Sequence, residues 1–213
     1  MQEHINTALM HACFARAKGC AFCELTRAVD DDIANRFLGE AVMVDEVRAE
    51  VGKKGFCNHH ASLMHAKSGK LGLALQLETR FSVLRESITK AKNTKKAVAE
   101  LLSATKTCIA CELKEKTMAR YAKETAIAYR ESPSSLIGST VEKGGFCLSH
   151  FALLASENAK DKAFLTALMR AQDQTYEKEG AALHRYCLQY DCKHQGEDFS
   201  DVKTAPQDGV NLL

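Results

Sequence analysis

Cys20-Ala21-Phe22-Cys23-Glu24-Leu25 returns 88 residues later as Cys108-Ile109-Ala110-Cys111-Glu112-Leu113. Lys53-Lys54-Gly55-Phe56-Cys57-Asn58-His59-His60 returns 90 residues later as Lys143-Gly144-Gly145-Phe146-Cys147-Leu148-Ser149-His150. Two separated motifs that recur in the same order and at nearly the same spacing mark an internal duplication. Reading outward from them, the chain divides into a first repeat over residues 1–90 and a second over 91–192. The remainder, 193–213, carries Gly196, Pro206, Gly209 and scattered acids without apolar periodicity, and is expected to be a flexible tail.

The segments between the motifs read as helices, and the expected fold class is all-α. Only two prolines occur in 213 residues, tryptophan is absent, and Ala, Leu, Glu, Lys and Arg dominate. Leu25, Val29, Ile33 and Phe37 recur at four-residue steps, and Leu73, Leu77, Phe81, Leu84 and Ile88 form a second stripe at helical spacing. Both stripes read as core. Asp45 is expected to cap a short helix that Gly52 closes, and Gly55 and Gly145 to precede new helices near Cys57 and Cys147. In the second half, helices are expected over about 93–106, 109–131, 147–158 and 161–190, with Ser132-Pro133-Ser134-Ser135 as the main break.

Bulk properties exclude several classes of function. Apolar residues make up 46% and charged residues 26%, as in ordinary folded domains. A net charge of +2 is too balanced to indicate nucleic acid as a partner. No window reaches the roughly 18 apolar residues of a membrane span. The start, MQEHINTALMHACFARAKG, lacks the basic-then-apolar order of a signal peptide. The expected location is cytoplasmic. In a reducing cytosol nine cysteines are not explained by disulfides; clusters there point to metal or catalysis.

Spacing favours metal. Two C-x-x-C and two C-x-x-H pairs supply eight ligands, and side chains three residues apart at a helix start face one point. The positive end of the helix favours the thiolate that binds metal. Each repeat is expected to close its own centre, Cys20, Cys23, Cys57 and His60 in the first and Cys108, Cys111, Cys147 and His150 in the second. His60 is chosen over His59 because only His60 aligns with His150; His59 aligns with Ser149 and reads as a surface group or a support behind the ligands. A thioredoxin-type pair needs a preceding strand, and haem attachment needs histidine directly after the second cysteine, where Glu24 and Glu112 stand. Glu24 and Glu112 read as first-turn acids matched to the helix dipole. Cys13, Cys187 and Cys192 have no counterpart in the other repeat and read as core or helix-end residues.

The Cys20-Ala-Phe-Cys23 run, the segment from Phe37 to Arg48, the Gly55-Phe56-Cys57-x-x-His60 motif and Leu71-Gly-Leu-Ala-Leu75 together resemble an uncharacterised bacterial domain-of-unknown-function family in which the two cysteine motifs occur twice. The resemblance is closest over about residues 20–80 and implies a ligand role for Cys20, Cys23, Cys57 and His60. The family commonly carries proline after the first cysteine, where this chain has Ala21 and Ile109. It implies no activity.

The expected function is a metal-binding structural or protein-interaction role with two zinc ions, thiolate and imidazole together being routine for structural zinc. The alternative is an iron–sulfur electron-transfer or redox-sensing protein with two 4Fe-4S clusters. An enzyme ranks last, because four ligands in each centre leave no place for a substrate water. A protein partner of unspecified identity is expected, self-association is left open, and neither nucleic acid nor membrane is indicated.

Overall fold

Among the described residues, every regular element is a helix. The structure is a computed structural model that describes residues 2–213, with side chains from residue 8 onward. The first half holds α1 (Gln2–Arg16), α2 (Ala21–Leu38), α3 (Asp45–Lys54), α4 (Asn58–Ala66), α5 (Lys70–Thr89) and α6 (Thr94–Ala104). The second holds α7 (Ile109–Glu131), α8 (Leu136–Lys143), α9 (Leu148–Glu157), α10 (Lys162–Leu188) and α11 (Ala205–Leu212). Short 3-10 turns lie at Glu40–Met43, Cys192–His194 and Ser200–Val202, and no strand occurs among the described residues. Among those residues, no helix is long and apolar enough to cross a membrane.

Compact units do not follow the repeat boundaries at 1–90 and 91–192. One unit comprises Met1–Thr26 and Met118–Leu213, and the other comprises Arg27–Thr117. The boundaries fall inside α2 and α7, so each of these helices contributes residues to both units. A duplication reading follows the chain order of motifs, whereas compactness follows which segments pack together.

The unit over Arg27–Thr117 is built on α2, α3 and α5. Val29, Ile33 and Phe37 of the expected α2 stripe are buried, and the Phe37 and Phe56 rings meet edge to face at 5.1 Å. The second stripe is corrected: Phe81 and Ile88 are exposed, and the buried line on α5 is Gly72, Leu73, Gln76 and Arg80. This face meets main chain. A Cβ at Gly72 would stand 2.3 Å from the carbonyl oxygen of Leu38, and the Gln76 amide donates to the Phe37 carbonyl at 3.4 Å. Apolar periodicity misses such a face, because what it needs is small size and donors.

Arg80 is the strongest of these contacts. Its guanidinium donates to the carbonyls of Gly52 (2.9 Å), Lys53 (2.7 Å) and Ala104 (3.2 Å), satisfying the end of α3 and fixing the chain just before Cys108. Gly52 lies inside α3, and the helix ends instead at Gly55, whose φ of 67° suits glycine. Asp45 is the first residue of α3 rather than its cap; the cap position is Val44. Burial pushes the Arg80 pKa down, and its three carbonyl partners are what keep the charge tolerable there. Arg80→Met should therefore lower the unfolding free energy by about 3 kcal/mol, read from urea denaturation. A change below about 0.5 kcal/mol, the range of ordinary surface substitutions, would contradict this role.

In the other unit α8 packs on α1 and α10. Phe14, Phe22, Leu25, Phe146, Leu154, Phe164 and Leu168 form its core, and Cys13 is fully buried as expected. α8 lies between the helices expected over 109–131 and 147–158, where none is expected. Its eight residues with Gly138 inside are too few for a periodic signal, and Ser135 caps it by accepting the Gly138 amide at 3.1 Å. Residues 193–213 are likewise not a loose tail. Val202 and Ala205 are buried, α11 packs on α10, and Arg185 donates to the Asp198 carbonyl at 2.7 Å and pairs with Asp201 at 3.2 Å. The anchor belongs to α10, so the tail's own composition does not announce it.

Candidate metal centres

All eight residues singled out from the sequence fall into two groups, but not the two expected. Cys20 and Cys23 stand with Cys147 and His150, and Cys57 and His60 stand with Cys108 and Cys111. Each C-x-x-C thus meets the C-x-x-H of the other half of the chain, which corrects the within-repeat assignment. Each group lies inside one compact unit.

Main-chain contacts explain the exchange in the Arg27–Thr117 unit. The amide of Ile109 donates to the Gly55 carbonyl at 3.1 Å, and the Thr107 hydroxyl donates to the Lys54 carbonyl at 2.7 Å. Lys54 Nζ reaches the Glu112 carboxylate at 2.6 Å. The turn before Cys57 is thereby sewn to the turn before Cys108. A Cβ at Gly55 would lie 2.6 Å from Arg80 Nε, so the same turn is also held from α5. In the other unit Gln172 fixes the turn before Cys147, accepting the Phe146 amide at 3.2 Å and donating to the Phe146 carbonyl at 2.8 Å. Phe22 packs on both Phe146 and His150, with ring centroids at 6.1 and 5.8 Å.

Helix starts present the ligands as the motif spacing requires. Cys20, Cys57, Cys108 and Cys147 immediately precede α2, α4, α7 and α9, and the second member of each pair lies in the first turn. Both Cys57 and Cys147 have extended backbone (φ −72° and −66°), so their thiols turn inward ahead of the helix.

Distances within the groups are those of one coordination sphere. In the Cys20 group, His150 Nδ1 lies 3.5, 3.4 and 3.1 Å from the sulfurs of Cys20, Cys23 and Cys147, and Cys23 and Cys147 are 3.8 Å apart. In the Cys57 group, His60 Nδ1 lies 3.2, 3.5 and 3.4 Å from Cys57, Cys108 and Cys111, and Cys57 and Cys111 are 3.7 Å apart. A tetrahedral ion with metal–sulfur bonds near 2.3 Å and a metal–nitrogen bond near 2.05 Å sets edges of about 3.8 Å between sulfurs and about 3.6 Å from sulfur to nitrogen. The residues fit.

The same crowding makes three of the thiols hard to ionise. Burial, then the charges of Cys20 and Cys147, push Cys23 up to about 12. Burial, then hydrogen bonds with Cys108 and Cys57, push Cys111 up to about 12 as well. Burial also raises Cys20. At Cys57 burial is outweighed by hydrogen bonds from the His60 amide and the thiols of Cys111 and Cys108, and the value falls below the ordinary one. Burial pushes His60 down against the pull of Asp30, favouring the neutral imidazole that can ligate.

Spacing in the sequence carried no sign of the groups behind the histidines. His150 Nε2 lies 3.0 Å from Thr26 Oγ1, and His60 Nε2 lies 3.1 Å from Asp30 Oδ1. His59 is exposed, with its Nε2 3.6 Å from Asp30 Oδ2, a support position rather than a ligand of either thiol group. Cys187 and Cys192 are exposed, against the core reading, and neither joins a ligand group among the described residues.

No curated protein and no solved structure matches the chain. A family profile does match it, over residues 1–213, and on that match the protein belongs to DUF6062, a family of unknown function.

Proposed function

We propose that the protein is a structural or interaction module whose helices are stapled by two zinc ions, one held by Cys20, Cys23, Cys147 and His150 and the other by Cys57, His60, Cys108 and Cys111. The observation that carries this reading is the spacing of the donor atoms: in each group the histidine nitrogen lies 3.1 to 3.5 Å from all three sulfurs, one pair of sulfurs is 3.7 to 3.8 Å apart, and all four donors lie within 4.8 Å of one another. One ion bonded to all four donors matches it. A four-iron cluster binds each ligand at a different iron, which separates the donors well beyond contact, so the spacing favours a single ion over the cluster alternative. Four protein donors fill the tetrahedron and leave no open position for catalysis.

The reciprocal use of motifs fits a duplicated unit in which the two copies traded C-x-x-H segments. The order of α2 to α5, with C-x-x-C before the first helix and C-x-x-H at the third, is matched by α7 to α10. An interaction role is supported by apolar side chains left exposed in one unit, Phe81 on α5 and Leu102 on α6 among them.

Protein purified anaerobically should be colourless and contain about two zinc ions per chain. Iron with sulfide and a visible spectrum bleached by dithionite would overturn the reading. The thiols also give the metal-free and metal-bound forms opposite responses to pH. Without metal, Cys23, in the unit with the larger apolar core, titrates near 12 in the fold and near the ordinary 9.0 when unfolded. Its contribution to stability is therefore full below 9 and lost as pH rises toward 12. With zinc, binding displaces the thiol protons, and stability is lost as pH falls. Thermal melting across pH, with and without chelator, should show slopes of opposite sign.

A further inference from the structure

We propose that Asp30 is the positioning residue of the Cys57/His60/Cys108/Cys111 centre, acting through His60; the inference rests on the metal reading above. His60 turns Nδ1 toward the three sulfurs and Nε2 toward Asp30 Oδ1 at 3.1 Å, in a spot where His60 is 1% and Asp30 9% exposed. A carboxylate accepting the Nε2 hydrogen keeps the proton off Nδ1. It also fixes the plane of the ring and makes Nδ1 a stronger electron donor. The buried carboxylate is itself held, since Lys114 Nζ stands 3.2 Å from Oδ1 and 3.3 Å from Oδ2.

Asp30, His59 and His60 also offer ligand atoms within 4.8 Å of one another, the arrangement of a third cation site. Lys114 decides against that use. Its ammonium touches both carboxylate oxygens and already supplies the positive charge, and His60 Nε2 could join a metal there only by losing its remaining proton. The triad therefore serves the thiol centre next to it. His59, with its ring 5.1 Å from that of His60, lies on the solvent side of the carboxylate.

The test uses the whole chain loaded with zinc. Zinc release to a competing chelator is followed in wild type, Asp30→Asn and Asp30→Leu, the other centre serving as internal control. Asn keeps the shape and an oxygen acceptor but loses the charge; Leu loses both. The expected result is that one ion of the two weakens by about 10–100-fold, more in Asp30→Leu than in Asp30→Asn, while the other is unchanged. The Nε2 proton of His60, seen by NMR in the zinc form, should shift upfield in the same order, and a packing role would not move it in the isosteric Asn variant. Two ions bound with wild-type affinity in both variants, or equal weakening of both ions, would overturn the role of Asp30 alone. Failure of wild type to bind zinc would instead overturn the reading on which it rests.

Discussion

Replacing Cys20 and Cys57 together by serine should empty both metal centres, whereas replacing Cys20 and Cys147 together should empty only one. The contrast follows from the exchange of motifs. Cys20 and Cys57 lie in the same half of the chain but in different candidate groups, and Cys20 and Cys147 lie in one candidate group from different halves. Serine offers no thiolate, and three remaining donors cannot close a structural site. Pairing within each repeat requires the reverse, one ion lost from the first variant and two from the second. Native mass spectrometry counts the ions per chain and separates the two arrangements without any measurement of activity.

Chelating both ions should unfold the Arg27–Thr117 unit before the other. Structural zinc supplies about 10–16 kcal/mol of apparent binding energy in zinc-finger peptides, comparable with the roughly 5–15 kcal/mol of net stability of a whole domain. The unit that depends on it more is the one with less apolar core. In Arg27–Thr117, α6 buries no residue and the inner face of α5 is largely polar or small, with Gly72, Gln76 and Arg80 beside Leu73. The other unit packs Phe14, Phe22, Phe146, Phe164, Leu154 and Leu168 together with its ligands. Hydrogen exchange after chelation should show residues 45–104 losing protection first, with about one third or more of the helical signal following. Full protection of that segment in metal-free protein would show that zinc is not what holds it.

The residues of the candidate centres were legible in the sequence because donor chemistry is short-range. C-x-x-C and C-x-x-H at helix starts specify their own local geometry, and the alignment of His60 with His150 singles out the histidine that stands among the three sulfurs from its exposed neighbour His59. Which motif meets which was not legible, since it is decided by contacts between distant main-chain groups, such as Ile109 N on the Gly55 carbonyl, that leave no mark in composition. The same reason accounts for Asp30. A carboxylate in the middle of α2 reads as a solvated acid until the helix is seen to turn it onto His60 Nε2. Periodicity found the core face of α2, where burial is apolar, and failed on α5, where it is a matter of donors and small size. The 193–213 segment carries no signal of its own for a related cause: its anchor, Arg185, lies on α10.

X-ray absorption at the metal edge of the protein as isolated tests the central claim most directly, because it reports the atoms bonded to the ion itself. Two like centres, each a single ion with three thiolates and one imidazole, predict a zinc edge. The average shell should hold about three sulfurs near 2.3 Å and one nitrogen near 2.0–2.1 Å, with no metal–metal scattering. An iron edge with sulfide and neighbouring iron in the shell, or a zinc shell dominated by oxygen, would contradict the account.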